Sequence, residues 1–229
     1  PLLSELPLTS NFPLVAEISK VQKTLDLHGH KVSLEIAVDN DLWIVSDEIY
    51  SRMVWVDWPH VSPASLPGGM ERTIVVNGWS KSWAMTGMRL GFLTGPPNAV
   101  KAAIKSQANS ASHVPTFMME AARVALSCDG SVEEFNLEYK KRREIMKRGL
   151  SELPGVRVVE PEGAFYVFAD ITGTGMTDTE FADGALKAGV QLIPASLITG
   201  GEGFIRVSYA TNEDAIHEGL SRLRSWLLQ

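Results

Sequence analysis

The sequence predicts an α/β protein with a mainly parallel sheet, followed by a smaller α+β domain at the carboxyl end. Short apolar runs, Leu42-Trp43-Ile44-Val45 and Thr73-Ile74-Val75-Val76, are typical of strands buried on both faces of a parallel sheet. Helical patterns follow these runs in the middle of the chain. After Pro154-Gly155 the pattern changes to short strands and exposed helices, which indicates a second layer of structure.

The first part of the chain gives the elements of the larger domain. A third apolar run, Leu90 to Thr94, ends at Gly95-Pro96-Pro97 and is read as another strand. Helical patterns then cover about 99–107, 117–126 and 132–153. The last of these has glutamates early and lysines and arginines late, the order that the helix dipole favours.

The remaining elements belong to the smaller domain. Strands are expected at 156–159, 165–169, 191–193 and 204–209, and helices at 181–188 and 212–228. Asn212 is the expected N-cap of the last helix. We expect residues 1–40 to form a segment of uncertain structure, 41–140 the larger domain and 141–229 the smaller one. The boundary falls inside the long helix near residue 140.

Composition narrows the class of protein. The chain of 229 residues has 45% apolar content, 21 basic and 27 acidic side chains, and a net charge of −6. This acidic balance disfavours nucleic-acid and membrane roles. No apolar run approaches a membrane span or forms a signal peptide. Cys128 is the single cysteine, so no intrachain disulfide can form, and we expect a buried thiol and a cytoplasmic protein.

The segment from Ser80 to Arg89 carries a candidate nucleophilic amine. Lys81 follows a strand and an Asn77-Gly78-Trp79 turn, so it is expected at the carboxyl end of a sheet strand, where α/β sheets keep their ligand crevices. The hydroxyl of Ser80 and the guanidinium of Arg89 suit the oxygens of a phosphate ester. Alternatively, Lys81 is a surface charge and Ser80 caps a helix.

Ser46-Asp47-Glu48-Ile49-Tyr50 supplies a carboxylate and a phenol at another strand end. A carboxylate beside a pyridine nitrogen keeps that nitrogen protonated, and the protonated ring withdraws electrons more strongly. Tyr50 could donate a hydrogen bond to an oxygen on the ring. The alternative is that Asp47 caps a helix and Tyr50 packs against it.

Arg206 interrupts an apolar strand formed by Phe204, Ile205, Val207 and Tyr209. A charge in such a place requires an anionic partner. That partner is either a ligand or a carboxylate of the protein itself. His28 and His30 could place two imidazoles together, but no cysteine lies near them in the sequence, and no metal site is expected.

Taken together, Ser-Asp-Glu-Ile-Tyr, Asn-Gly-Trp-Ser-Lys and Gly-Met-Arg-Leu-Gly resemble the pyridoxal-phosphate site of class I/II aminotransferases of fold type I. The resemblance covers about 41–229. It implies a partial three-layer large domain and the small domain of that fold. It also implies pyridoxal 5'-phosphate as cofactor, amino-acid and keto-acid substrates, and a homodimer or larger homo-oligomer.

The same resemblance assigns roles to individual residues. Lys81 would form the Schiff base, Asp47 would pair with the pyridine nitrogen, and Tyr50 would contact the ring oxygen. Ser80 and Arg89 would hold the phosphate. Arg206 would bind the substrate α-carboxylate.

The sequence departs from the family pattern ahead of Asp41, where the family carries a long first half with further cofactor contacts. That departure leads us to expect weakened cofactor binding. Transamination is the leading hypothesis. A pyridoxal-phosphate-dependent lyase of the same fold and a non-catalytic aminotransferase fragment are the alternatives.

Overall fold

The computed structural model describes the backbone of residues 27–229, and the side chains from Lys31 onward apart from Val32. The helices are α1 Leu27–Asp39, α2 Pro97–Ser110, α3 Thr116–Ala125, α4 Asp129–Ser151, α5 Asp178–Lys187, α6 Ser196–Thr199 and α7 Glu213–Leu227. The strands are β1 Ile44–Asp47, β2 Thr73–Gly78, β3 Gly91–Thr94, β4 Arg157–Val158, β5 Tyr166–Asp170, β6 Ile193–Pro194 and β7 Phe204–Ser208. Short 3₁₀ helices cover Pro63–Ser65, Thr86–Met88 and Thr172–Thr174.

The chain divides into two compact units, the first ending at Val132 and the second running from Glu133 to Gln229. The division lies inside α4. The boundary that the sequence predicts near residue 140 lies in the same helix, a few residues later.

The first unit contains a three-stranded sheet with the order β1-β2-β3. β1 and β2 are parallel, with Asp47 opposite Val76, and β3 is antiparallel to β2, with Gly91 opposite Gly78. The connection from β2 to β3 contains a 3₁₀ turn and no α-helix, so the chain turns back instead of crossing over to a parallel position. The described sheet therefore has one parallel and one antiparallel pair.

The expectation of burial on both faces is wrong for β1 among the described residues, whereas every residue of β2 is buried or half-buried. β1 alternates between half-buried and exposed positions, with Val45 49% exposed, and all four residues of β3 are exposed. An apolar side chain favours burial, but the sequence of the strand does not show what covers it. The covering residues must come from elsewhere in the fold or assembly. Cys128 is also exposed, which corrects the expectation of a buried thiol.

The second unit is built on an antiparallel sheet with the order β4-β5-β7-β6. Alternate residues of β5 and β7 are buried and form its core: Val167, Ala169, Ile205 and Val207. Phe181 of α5 is also fully buried, and its ring packs edge-on against Trp226 of α7 with centroids 5.1 Å apart. The unit thus has a hydrophobic core made by its own strands and helices.

Capping fixes where helices α5 and α7 of the second unit begin. Thr177 accepts a hydrogen bond from the backbone N–H of Glu180, whose side chain accepts one from the backbone of Thr177. This capping box starts α5 three residues earlier than the apolar pattern suggests. Asn212 accepts a hydrogen bond from Ala215 N at 2.8 Å, which confirms the predicted N-cap of α7.

Candidate active site

The carboxyl ends of β1 and β2 lie side by side, because the two strands are parallel and paired up to Asp47 and Val76. Asp47 ends β1, and Tyr50 lies in the turn that follows it. Asn77 Nδ2 donates to Ser51 Oγ at 3.2 Å, while Asn77 Oδ1 accepts from Gly78 N at 2.7 Å. One asparagine thus ties the turn after β1 to the end of β2.

The loop between β2 and β3 carries the three predicted cationic and hydroxyl residues, Ser80, Lys81 and Arg89. Trp79 N donates to Leu90 O at 3.3 Å and closes this loop at its base. Ser80 follows Trp79 and Arg89 precedes Leu90. The hydrogen bond between Trp79 and Leu90 therefore brings Ser80 and Arg89 to the same end of the β2–β3 pair. Gly78 is required here, since a Cβ at this position would lie 2.6 Å from Leu90 O.

Aromatic contacts anchor the loop on both sides of Lys81. Trp79 Nε1 donates to Ala122 O of α3 at 3.1 Å, and the Trp79 and Trp83 rings lie 6.2 Å apart. Arg52 lies over the Trp83 ring at 5.0 Å and pairs with Asp129 at 2.6 Å. The residues two before and two after Lys81 are therefore held by contacts of their own.

The site residues of the first unit differ in exposure. Tyr50, Ser80 and Lys81 are half-buried, while Asp47 and Arg89 are exposed. Arg89 has a φ of 51° and donates to Thr86 O at 3.1 Å. Within residues 27–229 it forms no ion pair with a carboxylate, so its guanidinium can still receive an anion.

A cluster that the sequence analysis did not single out lies around Glu48, which is 8% exposed. Glu48 Oε1 accepts from Ser62 Oγ at 2.5 Å and Ser46 Oγ at 3.1 Å, and His60 Nε2 lies 3.2 Å from Oε2. Burial raises the pKa of Glu48, and the hydrogen bonds and charge of these neighbours outweigh burial and lower that pKa overall. Strand alternation could have indicated that Glu48 faces away from Asp47, but its partners lie too far along the chain to be predicted.

Arg206 lies on β7 in the second unit. Its guanidinium carbon is 4.4 Å from the centroid of the Tyr166 ring on β5. Among the described residues it forms no ion pair, so the alternative of an internal carboxylate partner is not found in residues 27–229. Nearby, Tyr209 donates its hydroxyl to Ala164 O at 2.9 Å, where Ala164 has a φ of 58°.

The donor set of the first unit fits pyridoxal phosphate. A carboxylate, a phenol, a hydroxyl, an amine and a guanidinium lie on two linked strand ends, and the exposed Arg89 has the charge and fork geometry that a phosphate requires.

Among the described side chains, no group of three or more His, Cys, Asp or Glu could hold a metal ion. The side chains of His28 and His30 lie outside the described set. None of the helices within residues 27–229 is long and apolar enough to cross a membrane.

Comparison with known proteins gives relatives over most of the chain. It is 41% identical over 198 residues to an aspartate aminotransferase of Pyrococcus abyssi, a match covering 84% of this chain and 51% of that protein. An aromatic-amino-acid aminotransferase 2 of Thermococcus litoralis matches with the same identity and coverage. The chain thus spans about half the length of these relatives.

Solved structures and a family model agree with this match. The crystal structure of an aromatic aminotransferase from Pyrococcus horikoshii is 39% identical, with a TM-score of 0.85 over 89% of this chain and 56% of that one. This similarity confirms the predicted fold class. The family model described as aminotransferase class I and II matches residues 30–223. The chain therefore belongs to the class I and II aminotransferase family.

Proposed function

We propose that this chain contributes the cofactor-holding lysine and the substrate-binding arginine of a pyridoxal-phosphate-dependent aminotransferase. The observation that carries the proposal is that the β2–β3 loop, which contains Lys81, begins at the carboxyl end of β2, and that β2 pairs in parallel with β1 up to Asp47. Relatives named as aminotransferases support the same reaction class. The reaction would move an amino group from an amino acid to a keto acid.

When bound, pyridoxal phosphate supplies an aldehyde that condenses with amines and a ring that withdraws electrons. Lys81 Nζ would hold the cofactor covalently and later move the substrate proton. Asp47 would hold the proton at the pyridine nitrogen, and Tyr50 would donate to the ring oxygen. Ser80 Oγ and the Arg89 fork would bind the phosphate.

Arg206 would bind the α-carboxylate of the substrate. The Tyr166 ring occupies one face of its guanidinium, and the N–H groups of a guanidinium lie in its plane, where they can reach both oxygens of a carboxylate. Replacing Arg206 with lysine keeps a charge but loses the two parallel hydrogen bonds. We expect Arg206→Lys to weaken amino-acid binding by about 2 kcal/mol or more while cofactor binding changes little.

We further propose a homodimer or larger homo-oligomer. Four large apolar side chains of α2 and α3 are exposed in the described structure: Ile104, Phe117, Met119 and Val124. Exposed apolar groups of this kind mark association surfaces. Sedimentation of the wild-type chain and of Phe117→Ser should show a shift towards monomer in the variant. A wild-type chain that sediments as a monomer would contradict the proposal.

Reduction with borohydride in the presence of pyridoxal phosphate tests the assignment of Lys81. Peptide mapping should find the label on Lys81, and Lys81→Ala should remove it. Lys105→Ala is the matched control, because Lys105 is an exposed lysine on α2 outside the site, and it should leave the label unchanged. Label spread over surface lysines, or no label at all, would overturn the assignment and favour a non-catalytic role.

A pyridoxal-phosphate-dependent lyase would use the same lysine, so labelling does not distinguish it from a transaminase. Product analysis does. A transaminase transfers nitrogen from an amino acid to an added keto acid, whereas a lyase releases it as ammonia or releases another fragment of the substrate. Isotope transfer from a ¹⁵N-amino acid into a keto-acid acceptor is the expected result.

A further inference from the structure

We propose that Glu48, held by His60 and Ser62, is a positioning residue that orients Asp47 toward the pyridine nitrogen of the cofactor. The inference rests on the proposed function, because Asp47 meets that nitrogen only if the chain binds pyridoxal phosphate at Lys81. Glu48 itself faces the other side of the strand and would not touch the cofactor. His60 and Ser62 lie within 14 residues of Glu48 in the sequence, on the loop that leads into the 3₁₀ turn Pro63–Ser65.

Alternation along β1 separates the two carboxylates. Val45 and Asp47 are exposed on one face, while Ser46 and Glu48 turn toward the other, where Ser62 and His60 lie. Each carboxylate therefore has its own surroundings, although the two residues are neighbours in the chain. Any influence of Glu48 on Asp47 passes through the shared backbone.

That backbone is fixed at Glu48 from both of its polar groups. Glu48 N donates to Val76 O at 2.8 Å, and Glu48 O accepts from Ser51 N at 2.9 Å. The side chain adds three contacts to Ser46, His60 and Ser62. Glu48 thus joins β1, β2, the following turn and the 60–62 loop at one point.

Asp47 has much less support of its own. Its carboxylate accepts one hydrogen bond, from Ile49 N at 3.2 Å, among the contacts of the described residues, and the side chain is exposed. The direction of its Cα–Cβ bond is therefore set by the backbone that Glu48 holds. A misplacement of about 1 Å can lower the rate of a reaction about 100-fold. Fixing the direction of the Asp47 side chain can therefore offset the cost of burying the Glu48 carboxylate.

Stability alone does not explain an ionised carboxylate in this place. A buried carboxylate is often no more stabilising than an apolar residue of the same volume, because its charge loses hydration. Glu48 retains its charge through three polar neighbours rather than by exposure. This arrangement favours a role in fixing geometry at the strand end.

The test compares the affinities of two probes, pyridoxal phosphate and its 1-deaza analogue, in which carbon replaces the pyridine nitrogen. Equilibrium dialysis gives a dissociation constant for each, and their ratio isolates the contact with the nitrogen from the phosphate and aldehyde contacts. Glu48→Gln, which keeps the size and loses the charge, should reduce the preference for pyridoxal phosphate by about three- to tenfold. A purely structural role would weaken both probes equally and leave the ratio unchanged, which would overturn the proposal.

Two further variants keep the test decisive if Glu48→Gln folds poorly. Ser62→Ala removes one hydrogen bond and should lower the same ratio by a smaller factor. Asp41→Asn is the matched control. It removes the ion pair between Asp41 and Arg72, which are 2.7 Å apart near the other end of β1, and it should leave the ratio unchanged. An equal fall in Asp41→Asn would assign the effect to general loosening of β1 and overturn the proposal.

Asp47→Asn separates this inference from the function it rests on. If the ratio does not fall in Asp47→Asn, Asp47 does not meet the nitrogen and the proposed function loses that contact. If it falls in Asp47→Asn and not in Glu48→Gln or Ser62→Ala, only the positioning role fails. In the double variant Asp47→Asn/Glu48→Gln we expect no loss beyond that of Asp47→Asn, since Glu48 acts through Asp47.

Discussion

The two sheets of the molecule differ in how they bury apolar residues. In the second unit, alternate positions of β5 and β7 are buried, helix α5 packs on β7, and α7 packs on α5. In the first unit, β3 is exposed along its length, and Phe92 remains 45% exposed. The second unit therefore completes its core with its own residues, whereas the described part of the first unit leaves an apolar strand in contact with water.

The unit with the closed core is not the unit that carries most of the proposed cofactor-binding residues. The residues proposed to hold the cofactor, from Asp47 to Arg89, lie in the unit with the more open sheet. Polar side chains that must receive a ligand cannot also be fully satisfied by the protein. The second unit contributes one proposed ligand-binding residue, Arg206, on a strand whose neighbours form a closed core.

Truncating one phenylalanine in each unit should give the largest contrast. Phe181→Ala removes a fully buried ring that packs on Trp226 and should lower the free energy of unfolding by about 3–5 kcal/mol. Phe92→Ala in β3 should cost about 1 kcal/mol or less, because that ring is already partly in water. Urea denaturation followed by circular dichroism measures both. Equal losses would show that β3 is buried in solution and would remove the contrast.

Two glycines of the first unit test whether its site loop is tightly built despite the open sheet. Gly78→Ala would place a Cβ 2.6 Å from a backbone oxygen of Leu90 and should cost about 1–3 kcal/mol. Gly87 has no atom within 4 Å of an added Cβ, so Gly87→Ala in the same loop should change little. Thermal unfolding of the two variants compares them directly. Similar melting temperatures would mean that the base of the loop can shift without cost.

Asp178 gives a pH-dependent test of the closed core. It is 2% exposed and accepts hydrogen bonds from Ser196 N at 2.8 Å and Thr179 N at 3.0 Å. Burial raises the pKa of Asp178, and these backbone donors outweigh it, so the pKa in the folded state lies below the ordinary value. The stabilisation is therefore complete above the ordinary pKa of about 4 and is lost as the pH falls through the lower folded-state pKa.

We expect Asp178→Asn to lower the free energy of unfolding by about 1–2 kcal/mol at neutral pH, and the gap to the wild type to shrink on acidification. Denaturation curves between about pH 7 and about pH 3 measure the gap. Asp183→Asn, an exposed position on the same helix, is the control and should lower stability little. A gap that widens towards acid would mean that the sign of the pKa shift is reversed.

The smallest effect should come from the exposed ion pair between Arg123 and Glu120 on α3, 2.5 Å long. Arg123→Ala should leave the melting temperature unchanged within error at physiological salt, because water and ions screen such pairs. A clear loss would show that this surface of the first unit is covered in solution. The first unit would then bury more of its surface than the described residues show, and the two units would differ less.

Much of the architecture could be predicted from local signals. The apolar runs located β2 and β3, and the cap at Asn212 located the start of α7, because these signals lie within a few residues of the element they specify. β1 begins two residues later than its apolar run, since Leu42 is buried ahead of the strand rather than within it. Burial of β1 on both faces was wrongly predicted, because it depends on what lies against the sheet.

The candidate site residues could be named from contiguous motifs, whereas the tertiary contacts around them could not be predicted. Asp47, Tyr50, Ser80, Lys81 and Arg89 stand in two short segments, and parallel pairing of β1 and β2 brings those segments together. The contact of Glu48 with Ser62 joins residues 14 positions apart, and the link from Trp79 to Ala122 joins residues 43 apart. No periodicity in the sequence indicates such contacts. The roles of the site residues and the cytoplasmic location stay predictions.

The closed base of the β2–β3 loop has a consequence for how this gene can change. Ser80, Lys81 and Arg89 share one connection whose two ends are joined by the bond from Trp79 N to Leu90 O. An inserted or deleted codon within that connection would displace the amine relative to the guanidinium, whatever the new residue is. The connection between α2 and α3, which is mostly exposed, has no such restriction. We therefore expect descendants of this gene to vary in length there, and in the β2–β3 loop to vary by substitution alone.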